Sequence, residues 1–78
     1  MNDKLRTAAH LLARYSYNMG ENIANIENYK FWRAKYMAAK DMLFALTGLD
    51  GTTIGNEDNK VIVMLSDDNN YYTFEFKF

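Results

Sequence analysis

The single histidine and the two serines are the residues from which a nucleophilic active site could be built. The chain has no cysteine, so a serine paired with His10 is the arrangement left for nucleophilic catalysis. His10 and Ser16 are six residues apart in a helical segment, which places them about 120° apart around the helix. Ser66 ends a predicted strand and lacks the context of a nucleophile elbow. The sequence therefore predicts no catalytic residues, and we expect a protein that is not an enzyme.

Acidic residues stand next to each other at Glu57-Asp58 and at Asp67-Asp68, and such carboxylates can bind a hard cation or act as acid and base. Both pairs are followed directly by Asn, and Asp and Asn are preferred turn residues. The segment that starts at Asp50 matches a calcium loop poorly, because Ile54 occupies a ligand position and no glutamate follows at the twelfth position. No glycine-rich phosphate-binding motif occurs. We therefore expect no metal and no cofactor.

Basic residues form two stripes at helical spacing that could contact phosphates. The candidate phosphate-binding residues are Arg6, His10, Arg14, Lys30, Arg33 and Lys40. The sequence pI of about 5.7 is low for a nucleic-acid-binding domain, which is usually strongly basic. Binding of nucleic acid or a nucleotide is thus the alternative hypothesis. The simpler interpretation of the two stripes is that they are the solvated sides of two amphipathic helices.

Charge is distributed unevenly along the chain. Residues 1–48 carry seven basic and four acidic residues, whereas residues 49–78 carry two basic and six acidic ones. This asymmetry predicts a basic helical part and acidic turns, and it bears on the choice of partner rather than on the fold.

The first of two helical segments must position the first basic stripe. Its apolar residues recur at intervals of three and four: Leu5, Ala8, Leu12, Tyr15 and Met19. Asn2 or Asp3 is the expected N-cap, and Gly20 is the expected end of the helix. A loop over residues 21–28 follows, and we expect Ile23 and Ile26 to hold it against the core.

The second helical segment is capped by Asn28 and ends at Gly48. Its main stripe comprises Tyr29, Trp32, Tyr36, Ala39, Leu43 and Leu46. Further apolar residues fall outside this stripe, at Phe31, Ala34, Ala38, Met42 and Ala45. A helix that is apolar on two sides needs two partners, and a chain of this size has little to cover the second side. The pattern predicts a homo-oligomer in which Phe31 and Met42 take part in self-association.

After Gly48 the apolar period changes from 3.6 to 2, which indicates strands. Residues 61–66 and 71–78 alternate about a four-residue turn, so that Ser66 faces Tyr71 across a hairpin. Thr52-Thr53-Ile54 is a candidate third strand. The expected fold is α+β, a helical hairpin followed by an antiparallel β-hairpin or a three-stranded meander.

The length of 78 residues gives room for one core, and we expect a single domain over residues 1–78. A chain of this length buries only about 60% of its unfolded surface, so association with another chain is an expected source of stability. No apolar run is long enough to span a membrane, and the first residues lack the apolar centre of a signal peptide. We expect a cytoplasmic protein.

Aromatic residues make up 15% of the chain, more than a small core needs, and aromatic residues are enriched at protein interfaces. We expect a protein-binding module. Its size and lack of motifs are typical of short accessory proteins of bacteriophages and mobile elements, and the hypothesis is an inhibitor of a host protein, for example a defence nuclease, as anti-CRISPR proteins are. The expected partner-binding residues are Asp50, Glu57, Asp58, Asp67, Asp68, Tyr71 and Glu75. A structural subunit of a larger assembly is a further alternative.

Overall fold

A computed structural model of the protein describes residues 2–55 and 58–78. The elements in chain order are α1 (Asn2–Glu21), α2 (Ile26–Thr47), β1 (Asp50–Gly55), β2 (Lys60–Ser66) and β3 (Tyr71–Lys77). The strands form one antiparallel sheet in the order β1-β2-β3, so that β2 is the central strand. The predicted α+β fold is confirmed, and the sheet is the three-stranded meander rather than the simple hairpin.

The register of the sheet follows from the period-2 pattern. Ser66 pairs with Tyr71, as the four-residue turn predicts. Along β2 every second residue is buried, because Val61, Val63 and Leu65 point toward the helices. The alternate residues of β2 form the other face of the sheet, which neither helix covers and which is only partly exposed.

Helix α1 packs on the sheet through small residues. Ala9 and Ala13 are completely buried, and Leu12 is 1% exposed. Leu5 and Ala8 of the predicted stripe pack against this core, so the buried face is wider than predicted, because α1 is covered on two sides, by the sheet and by α2. On the α2 side the rings of Tyr15 and Trp32 lie 6.0 Å apart.

The link between the helices differs from the prediction. Helix α1 continues through Gly20, and α2 begins at Ile26 with Asn25, not Asn28, as its N-cap. The Asn25 side chain accepts a hydrogen bond from the backbone N–H of Asn28 at 3.2 Å. Ile23 is 74% exposed, so the expectation that it packs on the core is wrong. Asn side chains hold this link: the Asn22 amide donates to the Asn18 carbonyl at 2.8 Å.

Ile26 is 62% exposed and Leu46 is 77% exposed. The prediction that these two residues pack in the core is therefore wrong. Both lie within a turn of an end of α2, beyond the part of that helix that α1 and β1 cover. The predicted C-terminal stop is confirmed: Gly48 has φ 75°, and its N–H donates to the Phe44 carbonyl at 2.8 Å. In the part of the chain that the structure describes, neither helix has the length and apolarity to cross a membrane.

Two glycine substitutions test these helix ends. Gly20→Ala is expected to raise the free energy of unfolding by about 0.5–1 kcal/mol, because Gly20 is helical and an added Cβ meets no heavy atom within 4 Å. Gly48→Ala is expected to lower it by about 1–2 kcal/mol, because the left-handed backbone there disfavours a side chain. Urea denaturation followed by circular dichroism measures both. A destabilised Gly20→Ala protein would show that α1 ends before Gly20.

Candidate functional site

The acidic residues of the predicted partner-binding set lie at two opposite ends of the sheet. In register, Asp50 faces Ser66, which faces Tyr71, and the turn with Asp67 and Asp68 follows directly. The β1–β2 turn with Asp58 is at the other end of β2. Glu75 lies opposite Ile62, and its carboxylate is 3.8 Å from the ammonium group of Lys60. Glu57 lies outside the described residues. The structure thus brings together four members of the set: Asp50, Asp67, Asp68 and Tyr71.

We name the surface around these four residues the acidic end. Phe44 lines two adjoining depressions of this surface, which also share Asp50. One depression is lined by Phe44, Gly48, Asp50, Ser66, Asp67 and Asp68, and the other by Met37, Lys40, Asp41, Phe44 and Asp50. The Phe44 side chain is 57% exposed and that of Tyr71 66%. The acidic end therefore combines two exposed aromatic rings with carboxylates.

The turn after α2 explains why Phe44 meets the acidic residues. Gly48 reverses the chain within one residue, and β1 begins at Asp50, so the last turn of α2 lies beside the start of the sheet. The ammonium group of Lys40 lies 4.0 Å from the Asp50 carboxylate and is the basic group lining these depressions. Phe44 and Asp41 were not among the predicted site residues. The Gly48 stop next to Asp50 was the signal that could have indicated them.

Asp67 has a structural role within the acidic end. Its carboxylate accepts hydrogen bonds from the backbone N–H groups of Asn69 at 2.8 Å and Asn70 at 2.6 Å. These bonds lower the pKa of Asp67, since they stabilise the charged form. Asp68 takes no part in these bonds and is exposed, so its carboxylate points to solvent at the tip of the turn.

The first basic stripe packs partly against the end of β3. The Arg6 guanidinium lies 5.0 Å from the centroid of the Phe76 ring. The His10 ring stacks on Phe76 at 4.8 Å and on Phe78 at 5.7 Å. Tyr17 stacks on Phe78 at 5.0 Å. We name this series the aromatic ladder; in it Arg6 and His10 help to fix α1 on the sheet.

The remaining basic residues are dispersed. Lys4 and Arg14, both exposed, line an open depression on α1 together with His10. Lys30 and Arg33 are exposed on α2, whereas Lys40 belongs to the acidic end. The structure therefore does not bring the six candidate phosphate-binding residues together on one surface.

Ser16 belongs to a cluster of hydroxyl groups that links α1, α2 and the sheet. The Thr53 hydroxyl donates to Ser16 Oγ at 2.8 Å and lies 3.2 Å from the Tyr36 hydroxyl. Thr53 is on β1, Ser16 on α1 and Tyr36 on α2, and all three are partly buried. A structural role accounts for this cluster.

Tyr17 makes a further polar contact at the end of α1. Its hydroxyl donates a hydrogen bond to the Glu21 carboxylate, and this bond raises the pKa of Tyr17 above its ordinary value of 10.0. The contact lies on the side of α1 that carries the aromatic ladder.

Two further findings bear on what the protein does. Among residues 2–55 and 58–78, no group of three or more His, Asp or Glu side chains is placed to hold a metal ion. No protein-family model, curated protein or solved structure matches the chain. The function is therefore inferred from the surfaces of the molecule.

The pKa of Asp67 predicts how the β2–β3 turn responds to pH. Because the folded-state pKa lies below the ordinary value of 3.8, the carboxylate stabilises the fold above that pH, and this contribution is lost as the pH falls through the lowered value. Asp67→Ala is expected to melt at a lower temperature than the wild type at pH 7, and the difference should shrink toward pH 2. Thermal melts between these pH values measure it.

Asp68→Ala is the matched control, because it removes the same charge from the same turn without removing the backbone hydrogen bonds. Its melting temperature should change less than that of Asp67→Ala at pH 7. Equal effects of the two substitutions would mean that net charge, not the hydrogen bonds of Asp67, stabilises the turn.

Proposed function

We propose that the protein is a non-enzymatic protein-binding module whose working surface is the acidic end. The observation that carries the proposal is the exposed Phe44 ring, which lines depressions together with the carboxylates of Asp41, Asp50 and Asp68. Exposed aromatic rings lose contact with water on binding and are frequent among the residues that dominate interface affinity. Charged residues around such a ring raise the rate of association and add selectivity for the partner.

The chemistry of the acidic end favours a basic partner. Within its two depressions, the single ammonium group of Lys40 stands against four carboxylates, those of Asp41, Asp50, Asp67 and Asp68. A protein groove that binds nucleic acid offers the complementary surface, because it carries Lys and Arg side chains for phosphates. Occupation of such a groove would exclude the nucleic acid. We therefore propose inhibition of a host nucleic-acid-binding enzyme, such as a defence nuclease, by a small phage or mobile-element accessory protein of the anti-CRISPR kind.

Nucleic-acid binding is the second candidate. The observation in its favour is that Lys4, His10 and Arg14 line one depression on α1. Against it, Arg6 and His10 contact Phe76 and Lys40 lies beside Asp50, which leaves fewer basic groups for phosphates. Lys4→Ala combined with Arg14→Ala removes exposed charges of this depression and leaves the aromatic ladder intact.

The test is capture of proteins from a nuclease-treated bacterial lysate by the tagged chain, quantified by mass spectrometry. The wild type should retain a stoichiometric protein with a basic nucleic-acid-binding surface, and added salt should weaken the binding. Phe44→Ala combined with Asp68→Asn should weaken it about 30-fold or more, because loss of an interface hot spot typically costs that much. The matched control, Leu11→Ala with Asp3→Asn on α1, should bind as the wild type does.

Two results would overturn the proposal. One is that the double variant Phe44→Ala with Asp68→Asn captures the partner protein as well as the wild type does. The other is an eluate with high absorbance at 260 nm whose binding is abolished by Lys4→Ala with Arg14→Ala, since this result would identify nucleic acid as the ligand.

A further inference from the structure

Helix α2 carries an apolar face that no other element of the described chain covers. It consists of Phe31, Ala34, Ala38, Met42 and Ala45, all exposed, and we name it the outer face of α2. Phe31 is 54% exposed and Met42 61%. The buried side of α2, centred on Leu43, faces α1 and β1 instead. Contiguous exposed apolar faces on small proteins are typical of surfaces that contact another chain.

The total accessible surface area of the chain is larger than expected for a monomer of its mass. The chain exposes 5510 Å², whereas a typical monomer of its mass exposes about 4,900 Å². The excess of about 600 Å² approaches the area of about 800 Å² that each partner contributes to a standard interface. The chain therefore exposes more surface than a monomer of its mass typically does.

The outer face is self-complementary in size about Ala38. Phe31 and Ala45 lie seven residues to either side of Ala38, and Ala34 and Met42 lie four residues to either side. An antiparallel pair of α2 helices with a two-fold axis at Ala38 therefore places Phe31 opposite Ala45 and Ala34 opposite Met42. Every large side chain meets a small one, as close helix packing requires. In a two-fold interface each such contact occurs twice.

Charge favours the same arrangement. Lys35 and Asp41 lie three residues to either side of Ala38, so the antiparallel pair puts Lys35 of one copy level with Asp41 of the other. Within one chain the Lys35 ammonium lies 5.0 Å from the centroid of the Phe31 ring, on the outer face itself. A parallel pair would instead align Lys35 with Lys35 and Phe31 with Phe31. Opposite charges at one level select the antiparallel orientation.

We propose that a second copy of this chain covers the outer face of α2, forming an antiparallel two-fold dimer centred on Ala38. Phe44 lies about 120° around the helix from Ala38, so the acidic end stays open in the dimer. The dimer consequently presents two acidic ends. The inference does not depend on the proposed function, because the outer face of α2 contains neither Phe44 nor Asp68; Asp41 borders both surfaces.

Sedimentation equilibrium at about 100 µM, well above a micromolar dissociation constant, tests the association. The wild type should be a dimer. Ala38→Asp should weaken the dimer at least about 100-fold, because it places two like charges at the two-fold axis. Leu11→Asp, which introduces the same charge at an exposed site on α1, is the matched control and should remain dimeric. Circular dichroism should show an unchanged fold in both variants, since Ala38 and Leu11 are exposed.

Cysteine cross-linking tests the geometry, and the chain is suited to it because it has no cysteine of its own. Under oxidation Ala38→Cys should form a covalent dimer. Phe31→Cys should not, because the two copies of residue 31 are about 21 Å apart along the antiparallel helices. A monomeric wild type would overturn the proposal, as would a dimer that survives Ala38→Asp or one that cross-links through residue 31 but not through residue 38.

Discussion

The close approach of α1 to the sheet is the constraint on which the other contacts depend. Ala9 and Ala13 are fully buried on the helix, and on the sheet side a Cβ at Gly51 would lie 3.0 Å from Leu12 Cδ1. Because α1 occupies the space over the central strand, its flanking rings, such as that of His10, are pressed against β3. Helix α2 must then pack beside α1 and reach the sheet only at β1. Its far side has nothing left in the described chain to cover it.

Part of the fold could be predicted because it is fixed by local constraints. The strand register follows from the period of two and the turn length, and Gly48 ends α2 because its backbone is left-handed. The prediction that α1 ends at Gly20 was wrong because glycine can also adopt the helical conformation. A glycine alone therefore does not mark the end of a helix. Asn22, Asn25 and Asn28 are all residues of a type that can cap a helix. Which of them is the N-cap of α2 depends on how the two helices pack, and the sequence does not show this packing.

The candidate site could be predicted in its components but not in its arrangement. Acidic residues were expected at the turns, and successive turns of a meander lie at opposite ends of its sheet, which separates Asp58 from Asp67. Phe44 was not predicted because it meets Asp67 and Asp68, which are distant in the sequence, only through the reversal at Gly48 and the pairing of β1 with β2. Charged groups thus have different roles in the two places: the Arg6 guanidinium packs on the Phe76 ring, whereas Asp68 at the acidic end is exposed at the tip of a turn.

The aromatic ladder has a consequence for the order in which the molecule folds. It joins His10 and Tyr17 near the start of the chain to Phe78, whose backbone N–H also donates to the Asn59 carbonyl at 2.8 Å. The helical hairpin and each strand pair need only local loop closure, whereas the ladder needs nearly the whole chain to close, at a higher entropic cost. Docking of β3 on α1 therefore carries a higher loop-closure cost than formation of the helical hairpin or of either strand pair.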